Sequence, residues 1–191
     1  MAVLLAYNIT ADLAPSTTGT NIVGGTLTNN LLTSLTSNTL GYATDPVINP
    51  IPTSGATNAS TALATGSYFY LTISPTSGNS FSLTTLTFNI ARGGATTPRG
   101  YDVRSSADDY ATTLGTADVV TQRPTWTAVS IDLIGASFQG VTSSITFRIY
   151  LYSQSTVNTL DIDDIVINGT KASDGTVEQE GFRFRNDNGS E

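Results

Sequence analysis

The sequence predicts an all-β chain: an antiparallel β-sandwich of jelly-roll type with one short helix and an extended C-terminal arm. Three observations carry this reading. Apolar residues alternate with polar ones in several separate runs, which is the period of a half-buried strand. Gly, Pro, Asn and Ser cluster between those runs, where turns need them. Thr and Ser make up roughly a quarter of the 191 residues, while charged residues are only 12%, about half the usual share.

Taken in order, the chain opens with a first strand in Met1-Ala2-Val3-Leu4-Leu5-Ala6-Tyr7-Asn8. Its apolar run is too short, and lacks the basic flank, for a secretion signal. From Leu31 to Gly55 the chain is rich in Thr, Ser, Asn and Pro and has weak periodicity, so it reads as a long loop with at most one short strand. Asn58 to Thr65 is Ala-rich and is followed by Gly66 where a C-terminal cap belongs. This is the one helical segment. In Ser67 to Ser74, Phe69, Leu71 and Ile73 share one face and Tyr68, Tyr70 and Thr72 the other. Pro75 to Asn79 predicts a hairpin loop of about six to eight residues. In Phe81 to Ile90 the apolar phase changes from odd to even at Thr84-Thr85, the signature of a β-bulge. Trp126 and Ala128 followed by Val129, Ile131 and Leu133 predict a second slip. Ile145, Phe147, Ile149 and Leu151 then oppose Thr146, Arg148, Tyr150 and Tyr152 in a strand of clean alternation. The core fold is expected over residues 1–171. Residues 172–191 hold all three Glu and no long apolar run, and form the arm.

Composition excludes several functions. The chain has no Cys and no His, which removes disulfides, thiolate zinc sites and every Ser-His or Cys-His nucleophile. A net charge of −7 speaks against nucleic acid or an anionic membrane as partner, because both require a basic face. No motif picks out the two carboxylates across a bond that a glycosidase needs, so the chain is read as non-enzymatic.

Candidate functional residues fall into three groups. Asp161, Asp163 and Asp164 crowd one strand, and strict alternation puts Asp164 on the face of Leu160, Ile162 and Val166. A carboxylate there needs an Arg, backbone N–H groups or a cation. Tyr68 with Tyr70, and Tyr150 with Tyr152, form two aromatic pairs, each sharing a face. They stack on sugar rings, or they pack beneath a covering loop or a subunit contact. In the arm, Phe182 and Phe184 alternate with Arg183 and Arg185, suited to adding a strand to the sheet edge of a neighbour. Asp108-Asp109 reads as a solvated Asx turn, and Arg104 as the partner of a carboxylate.

As an ordered set, LLAYNIT, SYFYLTISPTSGNSFSLTTLTFNIARGG, GYDVRSSADDY, SSITFRIYLY and TLDIDDIVINGTK resemble a bacterial jelly-roll module. That module occurs in secreted surface proteins of the PEP-CTERM type, akin to galactose-binding-like and carbohydrate-binding sandwiches. The resemblance spans about residues 2–171. It implies a sandwich fold, a structural Ca²⁺ near the last-strand aspartates with no other cofactor, and an extracellular or particle-surface role. The tail GFRFRNDNGSE resembles a linker of large bacterial and phage-associated surface proteins. Without a signal or an anchor, the resemblance points first to a non-enzymatic structural protein of a phage virion surface. Such a capsid decoration or cement protein would act through contacts with capsid proteins or with itself. The alternative is an extracellular carbohydrate-binding module with a glycan as partner.

Overall fold

The computed structural model describes residues 2–9, 13–33, 37–38, 46–155 and 159–173. Thirteen strands occur among them: β1 (Ala2–Tyr7), β2 (Thr17–Thr18), β3 (Ile22–Gly24), β4 (Thr28–Asn30), β5 (Ser37–Asn38), β6 (Val47–Ile48), β7 (Tyr68–Pro75), β8 (Asn79–Arg92), β9 (Arg99–Ser105), β10 (Gly115–Ala117), β11 (Thr127–Asp132), β12 (Ile145–Ser153) and β13 (Leu160–Ser173). One α-helix, α1 (Ala59–Thr65), precedes β7. The first sheet runs β11-β8-β13-β1-β2, with β6 also on β13 and β5 on β6; the second runs β10-β9-β12-β7-β3, with β4 also on β7. All these strand pairs are antiparallel. The expected sandwich is therefore present, with more and shorter strands than alternation alone revealed.

The core lies between the sheets and is built from the inward residues of each strand. Phe69, Leu71 and Ile73 of β7, with Phe147, Ile149 and Leu151 of β12, face Leu86, Phe88 and Ile90 of β8 and Ile162, Ile165 and Ile167 of β13. All are essentially inaccessible to solvent. Burial contributes about 1.5–3 kcal/mol for each such side chain. Rings cross the layers as well: Phe88 meets Tyr101 edge to face at 5.3 Å, and Phe138 stacks on Phe147 at 6.1 Å.

The slip expected at Thr84-Thr85 is there. Asn168 pairs with Thr85 and Gly169 with Leu83, so Thr84 is the extra residue, and its carbonyl accepts from Leu133 N at 2.8 Å. A second bulge lies in β13, where Asp163 pairs with Asn89 but Val166 with Thr87. Asp164 takes a left-handed backbone there, with φ +51°. The slip expected near Trp126 is absent. β11 pairs with β8 without interruption from Thr127 to Asp132; Ala128 faces solvent and Trp126 lies before the strand.

Pro75 to Asn79 is not a hairpin loop. β7 belongs to the second sheet and β8 to the first, so Thr76–Gly78 carries the chain over the edge of the sandwich. The edges of β7 are already taken by β12 and by β3 and β4, and those of β8 by β11 and β13. β13 continues through Ala172 and Ser173, which pair with Ser80 and Asn79, two residues into the expected arm. The rest of that arm, including Phe182, Arg183, Phe184 and Arg185, lies outside the described residues.

Helix α1 is fixed at both ends. Asn58 Oδ1 accepts from Thr61 N at 3.0 Å while Thr61 Oγ1 accepts from Asn58 N at 3.0 Å, a capping box. Gly66 closes the helix at φ +70°, a conformation that glycine adopts without penalty. The cap on the N-terminal side stabilises by about 1 kcal/mol. Ala62 is buried, and its small side chain lets the helix settle onto the outer face of β12.

Candidate functional site

The outer face of the second sheet carries the sequence-predicted aromatics, and register decides their neighbours. Tyr70 of β7 lies opposite Arg148 of β12, which lies opposite Arg104 of β9; one row along, Tyr68, Tyr150 and Asp102 align in the same way. β4 adds Asn30 beside Tyr68 and Thr28 beside Tyr70. Because side chains alternate, these residues point away from the core together.

The two tyrosine pairs have different fates. Tyr150 and Tyr152 are buried with Ala56 and Ala62 beneath α1 and the segment leading into it. The Tyr152 hydroxyl donates to the Ala117 carbonyl at 2.9 Å and to Asp118 Oδ1 at 2.8 Å, and burial pushes its pKa upward. They are therefore packing residues and offer no stacking surface to a ligand, because an amphipathic ring with a satisfied hydroxyl suits a covered position. Tyr68 and Tyr70 remain half-buried, with ring centroids 6.3 Å apart and planes tilted by 59°.

Tyr68 and Tyr70 form the floor of a cleft of about 370 Å³, together with Asn29, Asn30, Tyr110, Thr146 and Arg148. β4 makes one wall. The other is the loop after β9, which Arg104 ties down. Its guanidinium pairs with Asp102 at 2.8 Å, donates to the carbonyls of Tyr110 and Ala111 at 3.0 and 2.7 Å, and donates to Thr113 Oγ1 at 3.0 Å. Arg104 thus pairs with a carboxylate as expected. Asp108 is solvent-exposed as expected, but in place of an Asx turn it ends a 3-10 turn, Ser106–Asp108. Its carboxylate accepts from Thr112 N at 2.9 Å, and hydrogen bonding to Thr112 holds its pKa low. The chain next enters Tyr110 at φ +61°, which aims that ring back over the sheet.

The result is a layered arrangement. The Arg148 guanidinium carbon lies 3.6 Å from the centroid of Tyr110 and 4.7 Å from that of Tyr68, so the cation is held between two ring faces. Such contacts are worth about 0.5–2 kcal/mol each, depending on desolvation. Sequence reasoning missed Tyr110, Arg148, Thr146, Asn29 and Asn30 as site residues. Alternation already put Arg148 and Thr146 on the face of the tyrosines. Nothing in the local sequence shows that Tyr110 folds over them.

The three aspartates do not converge. The bulge at Asp164 resets the phase of β13, so the core face is Leu160, Ile162, Ile165 and Ile167, and Asp164 is not among them. Val166 also faces outward. Asp164 instead accepts from Asn89 Nδ2 at 3.2 Å. Asp163 Oδ1 accepts from the backbone N–H of Asp164 at 2.8 Å. Asp161 is fully buried; one oxygen accepts from Thr159 Oγ1 at 2.9 Å, and the other touches Arg123 Nε at 2.7 Å. That contact is an ion pair whose N–H points off the line to the oxygen. Burial raises the Asp161 pKa, opposed by Thr159, Arg123 and Arg99. The expected calcium set is thus already engaged by protein donors, and among the described residues no three carboxylates come together as metal ligands.

No family model matches the sequence, and no curated protein matches it. Solved structures do resemble the fold. The K1 cleaved adhesin domain of Lys-gingipain from Porphyromonas gingivalis W83 is 15% identical with a TM-score of 0.49, covering 87% of this chain and 98% of that one. A family 35 carbohydrate-binding module from an environmental isolate is 15% identical with a TM-score of 0.45, covering 88% and 96%. The CBM27-1 module of Caldicellulosiruptor saccharolyticus, solved with mannohexaose, is 10% identical with a TM-score of 0.47, covering 87% and 96%. Likeness at this level carries no weight for function, which must be argued from the cleft itself.

Proposed function

We propose that this chain is a non-catalytic carbohydrate-binding module that holds a saccharide along the outer face of its second sheet. The observation that carries this is the convergence of Tyr68, Tyr70 and Tyr110 with Asn29, Asn30, Thr146 and Arg148 in one open cleft. A sugar ring has an apolar face of C–H groups and an equatorial rim of hydroxyls. The aromatic floor suits the first, and amide, hydroxyl and guanidinium groups suit the second. The open shape fits a chain that enters and leaves, which favours an oligosaccharide over an enclosed small molecule. An extracellular setting follows from such a ligand. The virion-surface role has no observation in its favour here, since the segment expected to mediate assembly lies outside the described residues.

The test is a glycan array followed by calorimetric titration of the best oligosaccharide against wild type and Tyr70→Ala. The variant should lose about tenfold or more in affinity, roughly the 1.4 kcal/mol that one stacking ring can supply. Its melting temperature should stay within a few degrees. Absence of binding to any saccharide, or equal binding by Tyr70→Ala, would sink the proposal.

A further inference from the structure

Among the described residues, Arg148 is a cation without a counter-ion. Its one hydrogen bond among the described residues is a long one, from Nη1 to the Tyr150 hydroxyl at 3.4 Å. It forms no salt bridge among them, although the chain as a whole carries seven excess negative charges. The nearest carboxylate in the cross-strand rows, Asp102, is already taken by Arg104 at 2.8 Å and by the Thr113 hydroxyl at 2.9 Å. Arg104 and Arg148 are direct cross-strand neighbours, an arrangement that is unfavourable unless charge is balanced. Within these cross-strand rows two arginines and one aspartate leave one net positive charge, which Arg148 carries into the cleft, while Asp108 and Asp109 lie on the loop wall beyond it.

The geometry around Arg148 also fixes its orientation. Rings lie against the guanidinium from Tyr68 and Tyr110. Hydrogen bonds of a guanidinium lie in its plane, so aromatic stacking does not consume its donors. Nη1 reaches the Tyr150 hydroxyl, and the Nη2 and Nε pair is the fork left to engage a ligand. A planar, weakly hydrated fork of this kind matches the two oxygens of a carboxylate or sulfate, which it binds bidentately.

We propose that the cleft selects acidic saccharides, with Arg148 as the residue that recognises a carboxylate or sulfate on the sugar. This rests on the carbohydrate-binding reading of the same cleft and adds the charge class of its ligand. Tyr70 stacks on a sugar ring while the anionic substituent meets the Arg148 fork. Tyr68 and Tyr110 act as positioning residues for that fork. Arg104 acts one step further back, through the loop that presents Tyr110.

The experiment compares matched charged and neutral probes by calorimetric titration. A galacturonate oligosaccharide is set against its methyl ester, and a sulfated galactan oligosaccharide against its desulfated form. Wild type should bind at least one acidic member about tenfold tighter than its neutral counterpart, the scale of one charge-assisted bidentate contact. Which acidic member it prefers distinguishes carboxylate from sulfate. That preference should shrink as sodium chloride is raised from about 0.05 to 0.5 M, because screening shortens the reach of the charge. Arg148→Gln should bring the acid-to-neutral ratio close to one, while Arg148→Lys should keep part of it. Equal affinity of wild type for both members of each pair overturns the charge selection and leaves carbohydrate binding standing. Failure of all four probes, together with a blank glycan array, overturns both. Should Arg148→Gln fail to fold, the wild-type ratios and their salt dependence decide the matter.

Discussion

Replacing Arg104 by Met should be among the most disruptive single changes on the outer face of the second sheet, although Arg104 touches no proposed ligand. Its side chain is 17% exposed and that of Asp102 only 5%. Met keeps most of the volume but removes the charge and the donors to Asp102, Thr113 and the carbonyls of Tyr110 and Ala111. Stranding one member of a buried ion pair costs about 3–5 kcal/mol. Asp102 retains the Thr113 hydroxyl and the loop carbonyls can turn to water, which lowers the expected loss to about 2–4 kcal/mol. For a chain of this length that corresponds to a fall in melting temperature of roughly 5–15 °C. Urea unfolding at pH 7 would measure it. The double variant Asp102→Asn, Arg104→Met is the decisive control, because removing both charges leaves no stranded carboxylate and should recover at least about half of the loss. A loss below about 1 kcal/mol in the single variant, or no recovery in the double, would refute the reasoning.

Three further outcomes follow from the packing. Phe147→Ala deletes a fully buried ring stacked on Phe138 and should cost about 3–5 kcal/mol in denaturant titration. Asp161→Asn tests the raised pKa of a buried acid. The folded chain binds that proton more tightly than the unfolded chain, so Asp161 contributes least stability above its folded pKa and its charge penalty vanishes below about pH 4. The variant should therefore improve relative to wild type as pH rises from about 4 to 7; the opposite trend would mean that the Arg123 ion pair outweighs burial. Prolonged chelation with EDTA should leave the melting temperature within about 1 °C, since a stabilising ion would shift it by mass action and the three aspartates are held by protein donors.

Much of the sandwich was legible because alternation is a direct record of which face a strand buries. Phe69, Leu71 and Ile73, or Ile145, Phe147 and Ile149, could be assigned inward from spacing alone, and the structure buries them. The phase change at Thr84-Thr85 was equally plain. The same kind of signal stands at Asp163-Asp164, where even-numbered Leu160 and Ile162 give way to odd-numbered Ile165 and Ile167. Strict alternation carried past it put Asp164 on the wrong face and suggested a calcium ligand. Sheet membership was not legible, because Thr76–Gly78 encodes a turn and not which strands will occupy the edges on either side. The site was half legible for a similar reason. Tyr68, Tyr70 and Arg148 share a face by period, but Tyr110 arrives through a left-handed loop residue and the Arg104 tether, and α1 removes Tyr150 and Tyr152 by covering them.

The paired bulges make the longest ribbon of the fold tolerant of changes in length. β8 and β13 pair end to end from Leu160↔Arg92 to Ser173↔Asn79, and each of the two strands accommodates a single surplus residue. Excising Asp164 would turn the core residues Leu160, Ile162, Ile165 and Ile167 into an unbroken every-second-residue series, and excising Thr84 would do the same for Phe81, Leu83, Leu86, Phe88 and Ile90. At these two points the chain can shed a residue without turning a strand inside out. Away from the Thr84-Thr85 and Asp163-Asp164 pairs, the loss of one residue would send the following apolar side chains to solvent. Natural insertions and deletions in this ribbon should therefore collect at Thr84 and Asp164, where the spare residue sets the local twist of the sheet and not the identity of its core.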